Sequence, residues 1–261
     1  MTASRTKFRV LRSRFAPWWL ALAVLASLAG CGAGVMPPIR SETQRLEVAR
    51  QMAAKRNYSL AVELLKTFIA NNAGSAEVDH AIYLLGECYA NQKEWSSAAL
   101  EFERLTRDYP ESDSAGSAAF QLGAAYFGQA RPPDFEQENT LRALTQWQNY
   151  LRDYPGHWLN DEAHHRIQLA RMRLATKLVH AGDLYVKLRL LEPARVYYRR
   201  VENEYGDTPQ VGDAWVGFAM CDALEKKKDA AIERLKQVES RFAGRPIAVR
   251  AARERARLQK T

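Results

Sequence analysis

Residues 95–126 read WSSAALEFERLTRDYPESDSAGSAAFQLGAAY, and every later segment of the chain can be laid over this stretch in register. Within it Ala98 is followed by Phe102 four residues on, Tyr109 at eleven, Pro110 at twelve and Ala118 at twenty, and Leu122-Gly123 and Tyr126 close the unit. Stepping from alanine to alanine gives Ala61, Ala98, Ala143, Ala194 and Ala231, and twenty residues after each stands Ala81, Ala118, Ala163, Ala214 or Ala251. Four residues after the first alanine the copies carry Leu65, Phe102, Trp147, Tyr198 and Leu235, so large side chains recur where the alanines leave room. Eleven residues after it stand Asn72, Tyr109, Tyr154, Tyr205 and Phe242. Self-similarity at 37 residues, with steps of 45 and 51 in the middle, marks an array of stacked units rather than a globular domain.

The turns account for the period. Position twelve is Ala73, Pro110, Pro155, Gly206 or Ala243, residues that mostly cannot or do not favour continuing a helix. Two residues later Ser75, Ser112 and Thr208 are capable N-caps, and Pro209 suits a first helical turn. A first helix is predicted from Ser41, with Gln44 three residues on as in a capping box and Leu46, Ala49, Met52 and Ala53 on its apolar face. A second is predicted from Ser59 to Asn72, and a last one from Pro246 to about Gln259, its arginines suiting a solvent-facing cap. Two insertions lengthen the array. Eight residues between Gly128 and Asn139, around Arg131-Pro132-Pro133-Asp134, read as a longer loop. Fourteen between Leu169 and Leu191 keep helical spacing and read as a prolonged helix with a break near Gly182. No strand pattern occurs anywhere.

Charge sits mainly at the N-terminus. The net charge is +8 and the sequence pI about 9.4, but residues 1–30 hold Arg5, Lys7, Arg9, Arg12 and Arg14 and no acid. Removing those five leaves +3 on the rest, too little for a phosphate-binding footprint, so no nucleic acid is expected. The basic stretch, the apolar run Phe15–Ala29 and the small residues after it have the order of a signal peptide, assigned to residues 1–30. Leu28-Ala29-Gly30-Cys31 resembles the lipobox of bacterial lipoproteins, in which cleavage precedes a cysteine whose thiol carries diacylglycerol. The resemblance implies lipid attachment at Cys31, such as palmitate, and each buried methylene of an acyl chain would add about 0.8 kcal/mol of anchoring. Gly32 in place of aspartate resembles lipoproteins forwarded to the outer membrane. Residues 31–40, with Pro37-Pro38, serve as a lipidated tether, and residues 41–261 form the repeat domain.

Leu85-Gly86-x-x-Tyr89, Leu122-Gly123-x-x-Tyr126, the downstream alanines and Tyr109-Pro110 together resemble the tetratricopeptide repeat. In that repeat the glycine lets the two helices of a hairpin approach. The expected fold is all-α: a solenoid of five helix pairs with a C-terminal capping helix. Nearly all of the chain after the leader is similar to the BamD family, the lipoprotein component of the machinery that inserts β-barrel proteins into the outer membrane. The similarity lies in the lipobox, the five units, Phe102-x-x-Leu105-x-x-x-Tyr109-Pro110-x-Ser112, Ala143-x-x-x-Trp147-x-x-Tyr150-Leu151-Arg152-Asp153-Tyr154-Pro155, and Asp183-Leu184-Tyr185-Val186 ahead of Tyr197-Tyr198-Arg199-Arg200. It departs at Tyr205-Gly206-Asp207-Thr208, where a proline is usual after the tyrosine.

No nucleophile elbow, phosphate loop or H-E-x-x-H motif is present, so no catalytic residue and no cofactor is assigned. His157, His164 and His165 cluster, but adjacent histidines on a helix point to different faces, so no metal site is expected. Cys88 and Cys221 occupy the same small apolar slot of their units, as buried inert thiols. Binding is the better use of the surface. Phasing from Gly86 and Gly123 places Tyr83, Glu87, Phe120 and Phe127 on a concave groove, with Arg50 and His165 from neighbouring units, to hold an extended peptide end. What the resemblance implies is a lipid-anchored scaffold on the periplasmic face of the outer membrane. Its partners would be the β-barrel insertase, other assembly lipoproteins and unfolded outer membrane protein segments. The alternative use of the same fold is a scaffold for a cell-wall, pilus or polysaccharide export complex.

Overall fold

The ten alanines of the repeat are all fully buried, at 0% exposure, which is what a stack of closely crossing helices requires. The computed structural model describes residues 39–260, and among these it contains eleven helices and no strand. They form five antiparallel pairs. These are α1 (Glu42–Ala54) with α2 (Tyr58–Asn71), α3 (Val78–Asn91) with α4 (Trp95–Asp108), α5 (Ala115–Gln129) with α6 (Glu138–Asp153), α7 (Asn160–Lys187) with α8 (Leu191–Tyr205), and α9 (Gln210–Leu224) with α10 (Lys228–Arg241). A last helix, α11 (Pro246–Lys260), covers the end. Each helix packs on the next in the chain, α7 also packs on α9, and smaller contacts join α1 to α3 and α9 to α11, as in a stack of neighbouring units. The expected lipid site Cys31, the signal peptide and the tether up to residue 38 lie outside the described residues.

The glycine–aromatic pairing sets the spacing within the pairs. A Cβ on Gly86 would lie 2.6 Å from a ring carbon of Phe102, and one on Gly123 would lie 2.5 Å from Nε1 of Trp147. Phe102 and Trp147 fill these notches, and all five of the large residues four after each first alanine, Leu65, Phe102, Trp147, Tyr198 and Leu235, are buried. Trp147 Nε1 donates to the Phe120 carbonyl at 3.1 Å, so its one polar atom is satisfied inside the core. Gly182 serves Tyr198 in the same way: a Cβ there would come within 2.5 Å of the ring. This explains why the break expected near Gly182 is absent. The helix α7 runs unbroken for 28 residues, because the glycine is there to admit a ring, not to end a helix.

The two insertions meet. Buried Gln137 donates through Nε2 to the carbonyls of Pro132 (2.8 Å) and Phe135 (3.1 Å), knotting the long α5–α6 loop. The prolonged part of α7 then reaches that loop: Lys177 Nζ donates to the Phe135 carbonyl at 2.7 Å, and His180 pairs with Asp134 at 2.5 Å. The extra helix length and the extra loop length support one another.

Turn chemistry is partly as expected. Ser41 caps α1, its Oγ accepting from Gln44 N at 3.1 Å. Helix α2 begins one residue earlier than expected, at Tyr58, with Asn57 as its cap. Ser75 and Ser112 are not helix N-caps. Their hydroxyls accept from the N–H two residues on, Glu77 at 3.3 Å and Ser114 at 3.1 Å, holding a tight turn ahead of α3 and α5. Thr208 likewise precedes its helix by two residues and donates to the Tyr205 carbonyl at 2.8 Å. The hydroxyl closes the turn that reverses the chain, and the helix starts after it.

Candidate functional site

The residues expected to form the groove lie on the first helices of successive pairs. In α1, Arg50 pairs with Glu77, the residue that precedes α3, at 2.6 Å, so its charge is already answered. Arg50 and Glu87 line one cavity of about 340 Å³ between α1 and α3, together with Tyr58, Leu84 and Asn91. Tyr83 points its hydroxyl at Glu87 and across to Ser117 and Gln121 of α5, and burial pushes its pKa up to about 12, helped by the Glu87 charge. Burial also raises the Glu87 carboxyl above the usual range, against the hydrogen bond from Tyr83. Arg50, Tyr83 and Glu87 thus form one continuous polar surface.

Phe120 does not join it. Although it is equivalent to Tyr83 in the repeat, it is only 5% exposed and packs against Trp147 (6.4 Å) and Tyr150 (5.7 Å). The partner at the hairpin decides this: in α6 two large rings face Phe120, whereas Tyr83 has Phe102 on one side at 5.8 Å and polar α5 residues on the other. Phe127 is half-buried, 5.7 Å from Trp147, with the Arg173 guanidinium 4.3 Å over its ring. His165 is exposed on α7, and among the described residues no three His, Cys, Asp or Glu side chains gather as metal ligands. Cys88 and Cys221 are buried free thiols, and burial pushes each up to about 11.

Arg173 is the residue that sequence reading missed. Its Nη1 is buried without a hydrogen-bond partner among the described residues, and burial alone pulls its pKa below the usual arginine range. The signal was present but faint: ten residues after the downstream alanine the units carry Asn91, Gly128, Arg173 and Leu224, and only one copy places a cation there. A second cavity, of about 550 Å³, lies between α9 and α11, where Arg250 donates to Asp213 at 2.9 Å. Burial raises Asp213 despite that partner.

Five helix hairpins stacked in sequence define a tetratricopeptide-repeat protein. The chain belongs to the YfiO family of outer membrane lipoproteins, whose pattern matches residues 87–223. It is similar to the outer membrane protein assembly factor BamD of Caulobacter vibrioides, 25% identical over 184 residues that cover 69% of this chain. That alignment spans 60% of the relative's own length. Among solved structures it is similar to a tetratricopeptide repeat protein from Parabacteroides merdae, at 16% identity and a TM-score of 0.38 over 83% of this chain and 72% of that one. A repeat protein from Bacteroides fragilis aligns at 14% identity and a TM-score of 0.41 over 85% of this chain and 96% of that one.

Proposed function

We propose that this protein is a lipid-anchored scaffold on the periplasmic face of the outer membrane that assists the folding and insertion of outer membrane β-barrel proteins. The observation that carries this reading is the family match, which runs from α3 through α9 and so takes in most of the repeat array. Its mechanism is non-covalent. An acylated Cys31 holds the chain at the membrane, the early pairs receive unfolded barrel segments, and the later pairs dock on the insertase and neighbouring lipoproteins. Where the groove continues past the early pairs, Phe127 and Arg173 add an apolar wall and an unanswered cation for an extended chain, while Arg50, already paired to Glu77, plays the smaller part.

Purification from native membranes in mild detergent, with lysine crosslinking and mass spectrometry, tests the assignment. An outer membrane barrel bearing periplasmic domains, crosslinked to pairs three to five, is the expected result, together with diacylglycerol and palmitate on Cys31. Recovery of export or cell-wall proteins and no insertase would leave the fold standing and move the function to the alternative scaffold role.

A further inference from the structure

Five turns join the first helix of each pair to the second, and antiparallel packing puts them on the same side of the stack, the turn after the 28-residue α7 standing further out than those of the early pairs. At four of them a basic residue, Arg56, Lys93, Arg189 or Lys226, sits in the left-handed region with φ between 61° and 65°. Each makes the same closing hydrogen bond, its N–H donating to the carbonyl three residues back: 2.9 Å to Ala53, and 3.0 Å to Ala90, Val186 and Ala223. Side chains with a Cβ are disfavoured in that conformation, and glycine is the usual occupant. On the opposite edge the left-handed residues are glycines, Gly156 and Gly244. The chain thus accepts backbone strain on one edge and avoids it on the other, and the strained positions share a positive charge.

The helix dipole does not account for the difference. It favours a cation at every helix C-terminus, yet at the ends of α4 and α6 the cations Arg107 and Arg152 are clamped by the next residue, Asp108 at 2.8 Å and Asp153 at 2.9 Å. The four turn cations are exposed and have no ion-pair partner among the described residues. Apolar side chains stand between them. Leu188 and Leu190 flank Arg189 at 56% and 49% exposure, and Phe135 on the third turn is 45% exposed with Arg131 3.9 Å over its ring.

We propose that this edge is a membrane-contact surface that takes anionic phospholipid headgroups. The cations meet the phosphate layer and Leu188, Leu190 and Phe135 enter the interface beneath it. Unanswered charges spread over successive turns match a uniform sheet of negative charge better than one compact acidic site. Exposed apolar side chains flanked by long cationic ones fit the boundary of water and acyl chains. The inference depends neither on acylation of Cys31 nor on a role in barrel assembly.

The test is lysine acetylation footprinting by mass spectrometry of the full purified chain, on phosphatidylcholine vesicles and on vesicles that also contain phosphatidylglycerol. Lys93 and Lys226 are expected to be protected several-fold on the anionic vesicles only, with protection lost in high salt, while Lys66 and Lys236 are unchanged. Replacing Arg56, Lys93, Arg189 and Lys226 together by glycine should lower the docked-to-free ratio by about fivefold per charge. Lys55 and Lys187 would then react as on neutral vesicles, while Tm stays level or rises because the strain is relieved. Equal reactivity of Lys93 and Lys226 on the two kinds of vesicle would overturn the proposal, as would a glycine variant that keeps its protection. Protection in native membranes but not on pure lipid would overturn it too, by assigning the edge to an acidic protein.

Discussion

Gly123→Ala should be among the most damaging one-carbon changes in the molecule. The new methyl would lie 2.5 Å from Nε1, 2.7 Å from Cδ1 and 2.9 Å from Cε2 of Trp147, all well inside contact distance. Trp147 has no room to withdraw: it is fully buried, packed by Phe120 and Phe127, and held by its hydrogen bond to the Phe120 carbonyl. Overpacking of this kind costs about 1–3 kcal/mol, and a displaced indole would leave a buried N–H unpaired at about 1–3 kcal/mol more. The two together give a loss of about 3 kcal/mol, since a partial shift of the ring trades one cost against the other. Urea unfolding of the purified chain, followed by circular dichroism, should show a midpoint lower by about 1 M. Gly74→Ala is the control, because a Cβ there meets nothing within 4 Å, and it should stay within about 0.5 kcal/mol of wild type. If Gly123→Ala unfolded at the wild-type midpoint, the account of the glycine as a notch for Trp147 would be wrong.

Removing Asp222 should also be costly. It is buried and binds Arg195 at 2.8 Å and Arg234 at 3.4 Å, so Asp222→Ala leaves Arg195 with Glu225 alone, at 3.0 Å, and should destabilise by about 2 kcal/mol in the same urea assay. Glu87→Gln should do the reverse at neutral pH. Its folded pKa lies above its unfolded one, so its stabilising share is full below the unfolded value and is lost as pH rises through the folded value. The glutamine variant should therefore have the higher urea midpoint at pH 7, and the gap should close as pH falls to about 4. The thiols of Cys88 and Cys221, buried and pushed up to about 11, should resist an aromatic disulfide reagent at pH 8 until the chain is unfolded.

The hairpin array is legible in the residue pattern because the constraint is local and repeated. Two close helix crossings per unit demand small residues at Ala98 and Ala118, the space beside them demands Phe102, and the chain restates this five times. Cys88 and Cys221 follow from the same register, since their slot faces the core in both units. The site is harder to read. Tyr83 and Phe120 hold the same position in the repeat, yet Tyr83 faces polar α5 residues and Phe120 is core.

The amino-acid pattern alone specifies the register: which side chains face inward, where each hairpin turns, and hence the all-helical stack and its likeness to a family of outer membrane lipoproteins. Which neighbour each inward side chain meets is set only in the folded array. Gly182 admits Tyr198 without breaking α7, the two insertions brace each other through Lys177 and His180, Arg173 lies unpaired over Phe127, and four cations take left-handed turns on one edge. Helical periodicity fixes a direction around one helix axis and nothing more. Whether that direction ends on the same pair, the next pair or open solvent depends on how successive pairs pack against one another, and that is settled jointly by side chains far apart in the chain.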